Sequence, residues 1–190
     1  MAEGMVDRAK ESVVSVIKGA GDVAGTVRET VTELVTEALR GAGEITSTAM
    51  GVVSETVRGA IKGTREAGTE VAVGARAVVS GAVEGVASVG GDVVSAARNA
   101  VKAAVQGAAE IGADIGAAAT GAVEGAIEAT RRVGKNVTEV AAGAVEQALE
   151  TAGEIGRDAV EAVKKGLSSA ASVPRDVVDS VTRRRDEGAS

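Results

Sequence analysis

The sequence predicts an all-α chain of tandem 22-residue amphipathic repeats, arranged as a long helix or as helical hairpins rather than a compact globule. Three observations predict it. The chain stacks on itself at a period of 22 residues, eight times and without insertion, from Val13 to Gly188. Such a period marks a repeated structural unit that cannot bury its apolar face alone. The apolar columns of that stack recur at helical spacing. Aromatic residues, cysteine and histidine are all absent, so hydrophobicity rests on Val and Ala, with few Leu, Ile and Met.

Residues 1–12 read as a polar lead-in, 13–182 as the repeat array (its last copy nominally reaching 188), and 183–190 as a charged, disordered tail. Val13, Val35, Val57, Val79, Val101, Val123, Val145 and Leu167 form one column. Four residues on, Ile17, Leu39, Ile61, Val83, Val105, Ile127 and Leu149 form a second. A third holds Val23, Ile45, Ala67, Val89, Ile111, Val133, Ile155 and Val177. At about 100° per residue these columns cover roughly a third of a helix circumference, and the alternation a strand requires does not recur. A 22-residue period fits about six turns of 3.67 residues, so a continuous helix holding the stripe would be slightly unwound or supercoiled to the right. Opposite the stripe runs an acidic column of Asp22, Glu44, Glu66, Glu110, Glu154 and Asp176, broken by Ser88 and Arg132, and expected to face water.

Glycine is columnar too. Gly68, Gly90, Gly112, Gly134 and Gly156 precede a column of cap-capable residues: Thr26, Thr48, Asp92, Asp114, Asn136 and Asp158. Glycine followed by Asp or Asn can end one helix and cap the next. Two architectures follow: nearly continuous helix at about 33 Å per copy, or short helices that fold back. Continuous helix is the favoured expectation, because Val23, Ile45, Val89 and Ile111 keep the Gly-to-cap segment apolar and proline is absent before Pro174. The pairs Gly21/Gly25, Gly59/Gly63, Gly81/Gly85, Gly112/Gly116 and Gly121/Gly125 have the spacing that lets helix backbones approach closely.

Composition limits what the chain can do. Without rings a monomeric core is thin, and 26 glycines add backbone entropy that folding must overcome, so a partner surface is expected. A net charge of −6 with no basic stripe and no aromatic platform argues against nucleic acid. The first residues, MAEGMVDRAK, carry no apolar run of the secretory kind, so no signal peptide is expected. Glu84, Asp92, Glu110, Asp114 and Glu124 interrupt the most apolar stretch, so no transmembrane helix is expected either. The carboxylates are periodic on a polar face and read as solvated. Ser15-Val-Ile-Lys18 lacks the partner motifs of penicillin-recognising enzymes, and Gly134-Lys135-Asn136 lacks the earlier glycine and the hydroxyl of a P-loop. Asn136-Val-Thr138 is a glycosylation sequon by accident, and no EF-hand loop occurs. The expectation is therefore no enzyme, no cofactor, no specific metal and no small-molecule substrate.

The stretch Glu84-Gly-Val-Ala-Ser-Val-Gly-Gly-Asp-Val-Val94, followed by Gly116-Ala-Ala-Ala-Thr-Gly121, resembles the synucleins. The period with its single late Pro174 is similar to that of exchangeable apolipoproteins, and the composition is similar to late-embryogenesis-abundant proteins and phasins. The resemblance implies long amphipathic helices on a lipid, membrane or granule surface, with no catalytic residues. On that reading Val13, Ile17, Val35, Leu39, Val57, Ile61, Val79, Val83, Val101, Val105, Val123, Ile127, Val145 and Leu149 face lipid or a partner. The protein would then be intracellular and peripheral to its surface. The alternatives are a self-associating helical scaffold, packed as a homo-oligomer, and a stress- or desiccation-protective chain. Every version places function in the columns rather than in one residue. Val79→Asp combined with Val101→Asp is therefore expected to abolish binding or assembly, while any single exposed carboxylate can be neutralised with little effect; light scattering and far-UV circular dichroism check both.

Overall fold

The computed structural model describes residues 2–42 and 47–188, and every regular element among them is helical. The elements are α1 (Ala2–Ile17), α2 (Val23–Ala42), α3 (Ser47–Glu66), α4 (Val71–Ser88), α5 (Val93–Glu110), α6 (Ile115–Arg132), α7 (Val137–Ile155), α8 (Arg157–Ser169) and α9 (Arg175–Gly188). Glu44, Ile45 and the side chain of Thr48 lie outside the described residues.

The expected continuous helix is not what forms: each copy is one helix and the chain folds back after it. The reason is local. Gly90 takes φ +76°, a left-handed conformation that costs a residue with a Cβ, and its N–H donates to the carbonyl of Ala87 while that of Gly91 donates to Val86. This is the Schellman closure of a helix end. Gly68, Gly112 and Gly134 repeat it at φ +63° to +80°, with the same pair of backbone bonds behind each. Two residues on, the carboxylate of Asp92 accepts from the N–H groups of Val94 and Ser95, Asp114 accepts from Ala117, and Asn136 accepts from Thr138 and Glu139. These contacts satisfy N–H groups that the first helical turn leaves without partners. Thr26 departs from its expected place. It lies in the first turn of α2, and Asp22 accepts from the N–H of Gly25 instead.

The period thus has a different origin from six turns of one helix. Helices α4, α5 and α6 each span 18 residues, about five turns at 3.6, and a four-residue turn completes the unit. No supercoil is needed to keep the stripe in register. Val89, Ile111 and Val133, the apolar residues in the turns, are half-buried against the core.

Each helix packs most extensively on the helix two places along, α4 on α6, α2 on α4 and α1 on α3, and less on its sequence neighbours. Odd-numbered helices form one layer and even-numbered helices the other, with a single apolar core running from Val13 to Val181. Within a layer the backbones come very close. A Cβ on Gly121 or Gly125 would collide with the carbonyls of Ala72 or Arg76, and one on Gly81 with that of Arg28. Gly59 and Gly63 of α3 face the carbonyls of Val6 and Lys10 in the same way. Three of the five small-residue pairs therefore serve close packing. Of the others, Gly112 closes a turn while Gly116 meets Ala162, and Gly21 and Gly25 touch no other helix.

The ends differ from the expected boundaries. Residues 2–12, read as a lead-in, belong to α1, where Ala9 is buried. Residues 183–188, read as tail, continue α9. The usual preference for alanine over glycine in a helix inverts at the close contacts, which gives a test. Gly51→Ala, in open space on α3, should stabilise by about 0.5–1 kcal/mol because alanine is the better helix former. Gly121→Ala should destabilise by about 1–3 kcal/mol through overpacking. Urea unfolding followed at 222 nm reads both signs.

Candidate functional site

The columns chosen from the sequence are interior. Val13, Val35, Leu39, Val57, Ile61, Val79, Val83, Val101, Val105, Val123, Ile127, Val145 and Leu149 are all buried, and Ile17 is half-buried. What they face is the chain's own neighbouring helices: Val13 lies against Gly63, and Val35 against Gly85. In the folded protein none of the buried thirteen is presented to lipid or to a second protein. The acidic column points outward, with Asp22, Glu66, Glu110, Glu154 and Asp176 all exposed.

Surface chemistry therefore belongs to the polar faces, and these are stitched by charge. Arg98 pairs with Glu146 at 2.9 Å and Lys62 with Glu110 at 2.9 Å, both across the odd layer. Lys102 reaches Glu154 at 3.4 Å, again from α5 to α7. Across the even layer the pairs join into a network. Arg28 of α2 meets Glu84 of α4 at 3.0 Å, and Arg132 of α6 meets the other oxygen of Glu84 at 2.8 Å. Arg132 also bonds Glu128, which Arg76 of α4 contacts at 2.8 Å. Arg76 lies 3.7 Å from Glu124, and Ser172, in the α8–α9 connection, donates to Glu124.

The titration of these groups follows the geometry. Burial opposes ionisation of Glu128, but the hydrogen bond from Arg76 and the charges of Arg76, Arg132 and Arg28 outweigh it, so its pKa lies below the ordinary glutamate value. Arg132 is raised, first by its hydrogen bond to Glu84, against burial, and then by the charges of Glu128 and Glu84. Asp92 is lowered mainly by the Ser95 hydroxyl, against burial, with the Val94 and Ser95 N–H groups adding to it.

Around the network lie open grooves on the same face. One of about 380 Å³ is lined by Arg28, Val73, Arg76, Ser80, Glu128 and Arg132. A second, of about 520 Å³ between α6 and α8, is lined by Gly116, Ala117, Thr120, Ala162, Lys165 and Gly166. Among the described residues no group of three or more acidic side chains is arranged to hold a metal ion. Helix α4 alone among them is long and apolar enough to cross a membrane, and most of that window is buried inside the fold.

The N-terminal end of the array is blunted. In α2 the positions that are Val73, Ala77 and Gly81 in α4, and Ala117, Gly121 and Gly125 in α6, are Glu29, Glu33 and Glu37, all exposed. Among the described residues no helix packs against this face of α2, and a charged face of this kind resembles the polar outer face of a capping repeat.

No family model matches the chain, and no curated protein matches it in sequence. Solved structures do match. One is the crystal structure of the de novo designed helical repeat protein DHR7, with a TM-score of 0.53 and 19% identity over 97% of this chain and 96% of that one. The fold is that of a helical repeat protein. At this identity the likeness carries the architecture and nothing of function.

The ion pairs escaped sequence reading although they leave a trace. Partners two helices apart lie 48, 52 or 56 residues apart, two copies plus one, two or three helical turns, as in Arg98–Glu146, Arg76–Glu128 and Arg28–Glu84. A search for opposite charges at those offsets would find them once folding back is assumed.

Glu84, shared by two arginines and 14% exposed, should matter more than Glu146, which is 54% exposed. Glu84→Gln is expected to cost about 1–2 kcal/mol in urea unfolding, and Glu146→Gln about 0.5 kcal/mol or less. Because Glu128 is depressed in the folded state, its stabilisation is present above the unfolded glutamate pKa and is lost as pH falls through the folded one. Glu128→Gln should accordingly flatten the acid limb of a plot of unfolding midpoint against pH, leaving its neutral-to-alkaline limb unchanged in shape.

Proposed function

We propose that the protein is a non-enzymatic helical-repeat scaffold that works as a preformed folded body. The observation that supports this is the closure of the apolar columns between the chain's own helices, with charge-paired faces left outside. An in-plane membrane helix needs a free apolar stripe. Here that stripe is already occupied. What remains accessible is a polar, grooved surface on the even-numbered helices, the kind of extended face on which solenoids hold partners.

Adsorption to a lipid or granule surface is the second reading, and the likeness to synucleins and apolipoproteins belongs with it. One observation favours it. Apolar residues continue through the turns at Val89, Ile111 and Val133, and Ile155 is 40% exposed, so an opened chain would carry an unbroken stripe. It requires the hairpins to come apart.

Size-exclusion chromatography with light scattering and circular dichroism, with and without neutral vesicles, separates the two. The scaffold reading expects a fully helical, monodisperse protein in buffer that vesicles leave unchanged. A chain that is poorly helical alone and gains helix on vesicles would replace it with surface adsorption.

A further inference from the structure

The C-terminal hairpin departs from the rest of the array. The turns at 67–70, 89–92, 111–114 and 133–136 each have four residues, but one residue, Gly156, separates α7 from α8. Its φ is +153° rather than the left-handed value of the other column glycines. The sequence Gly156-Arg157-Asp158 keeps the register of Gly112-Ala113-Asp114 and Gly134-Lys135-Asn136, yet Asp158 sits inside the first turn of α8 and no side chain caps that helix.

Packing explains the departure. The positions occupied by Gly121 and Gly125 in α6 are Lys165 and Ser169 in α8, and neither fits where a backbone carbonyl must lie. Helix α8 therefore docks through other small residues. Gly116 of α6 faces the Ala162 carbonyl, where a Cβ would lie 2.7 Å away, and Gly166 faces Thr120. The register slips, and the turn shortens to one residue. The unit is also lightly anchored: α8 has 13 residues and buries Ala159, Val163 and Leu167, whereas α6 has 18 and buries residues along its whole length.

We propose that α8–α9 is a releasable hairpin that exchanges between two copies of the chain, with Gly156 as the hinge. In the exchanged form Gly156 becomes helical, and α7 and α8 join into one helix from Val137 to Ser169, about 50 Å long. The second copy's hairpin then lands on α6 through the same Gly116–Ala162 and Gly166–Thr120 contacts, and the exchange is reciprocal. Only the hinge changes conformation, which is what makes swapping a low-cost route to a dimer. A one-residue connection between two helices favours it, since a short hinge folds back less readily than a four-residue turn. The proposal is independent of whether the protein acts as a scaffold or on a surface.

Three measurements test it. On the unaltered monomer, native-state hydrogen exchange should show 157–188 opening as one unit, at least about 100-fold faster than 93–132. Gly156→Ala makes a continuous helix easier and a φ of +153° harder, so it should raise the dimer-to-monomer ratio at least about tenfold by light scattering. Inserting three residues after Gly156, to restore a four-residue turn, should suppress the dimer. Exchange of 157–188 in step with 93–132 would overturn the proposal. So would a folded Gly156→Ala that stays monomeric at every concentration, or a dimer that the insertion leaves untouched. If Gly156→Ala does not fold, hydrogen exchange on the unaltered chain decides alone.

Discussion

Between α1 and α3 and along the even layer, neighbouring helices approach until a backbone carbonyl of one lies against a glycine of the next, and the rest of the architecture is built around that separation. A core without rings has little dispersion energy per side chain, because aromatic residues usually supply the largest buried areas. Gly121 and Gly125 against Ala72 and Arg76, and Gly59 and Gly63 against Val6 and Lys10, recover contact by bringing main chains together. Such proximity also places Cα–H groups beside carbonyl oxygens, a weak but repeated attraction. Valine then fills the space that remains. In this setting glycine within a helix is a packing residue, and its intrinsic cost to the helix is offset by the approach it permits.

That tightness is not uniform along the array. In the odd layer the positions of Gly59 and Gly63 become Ala103 and Gly107 in α5, then Gln147 and Thr151 in α7. Gln147 and Thr151 are buried and hydrogen bond to each other, which requires room that the α1–α3 contact does not have. A Cβ on Gly143 would meet only the aliphatic stem of Arg98, at 3.5 Å. In the even layer close approach persists through α6 to α8, but there it is made at Gly116 and Gly166 and not at the Lys165 and Ser169 positions. The odd layer therefore loosens toward the C-terminus while the even layer changes register there, and the release proposed for α8–α9 falls where the two coincide.

Charge plays a complementary part. Apart from Arg8–Glu37, the long-range ion pairs connect helices two places apart, the same helices that pack most extensively, so long side chains on the outside bracket a contact made on the inside. Their energetic weight is concentrated where exposure is least, at Glu84 between Arg28 and Arg132. At the N-terminal end, charge takes the opposite role. Glu29, Glu33 and Glu37 stand where α4 and α6 carry Val or small residues, so this face of α2 is charged and not closely packed.

The sequence by itself determined the helical class, the repeat, the apolar columns and the outward acidic column, because 3.6-residue periodicity is a local property that one strand of text records. It also carried the punctuation, since Gly90 with Asp92 and Gly134 with Asn136 are stop and start signals whose chemistry is contained in a few residues. Continuous helix looked preferable because Val89 and Ile111 kept the turns apolar; only tertiary structure offers those residues a core to fold over. Which surface the columns face was likewise undecidable locally, since Val35 against lipid and Val35 against Gly85 demand the same side chain. The 48- and 52-residue ion pairs, the glycine–carbonyl contacts and the slip at Lys165 exist only between helices already placed side by side. Folding back decided them, and it rests on contacts between residues two copies apart.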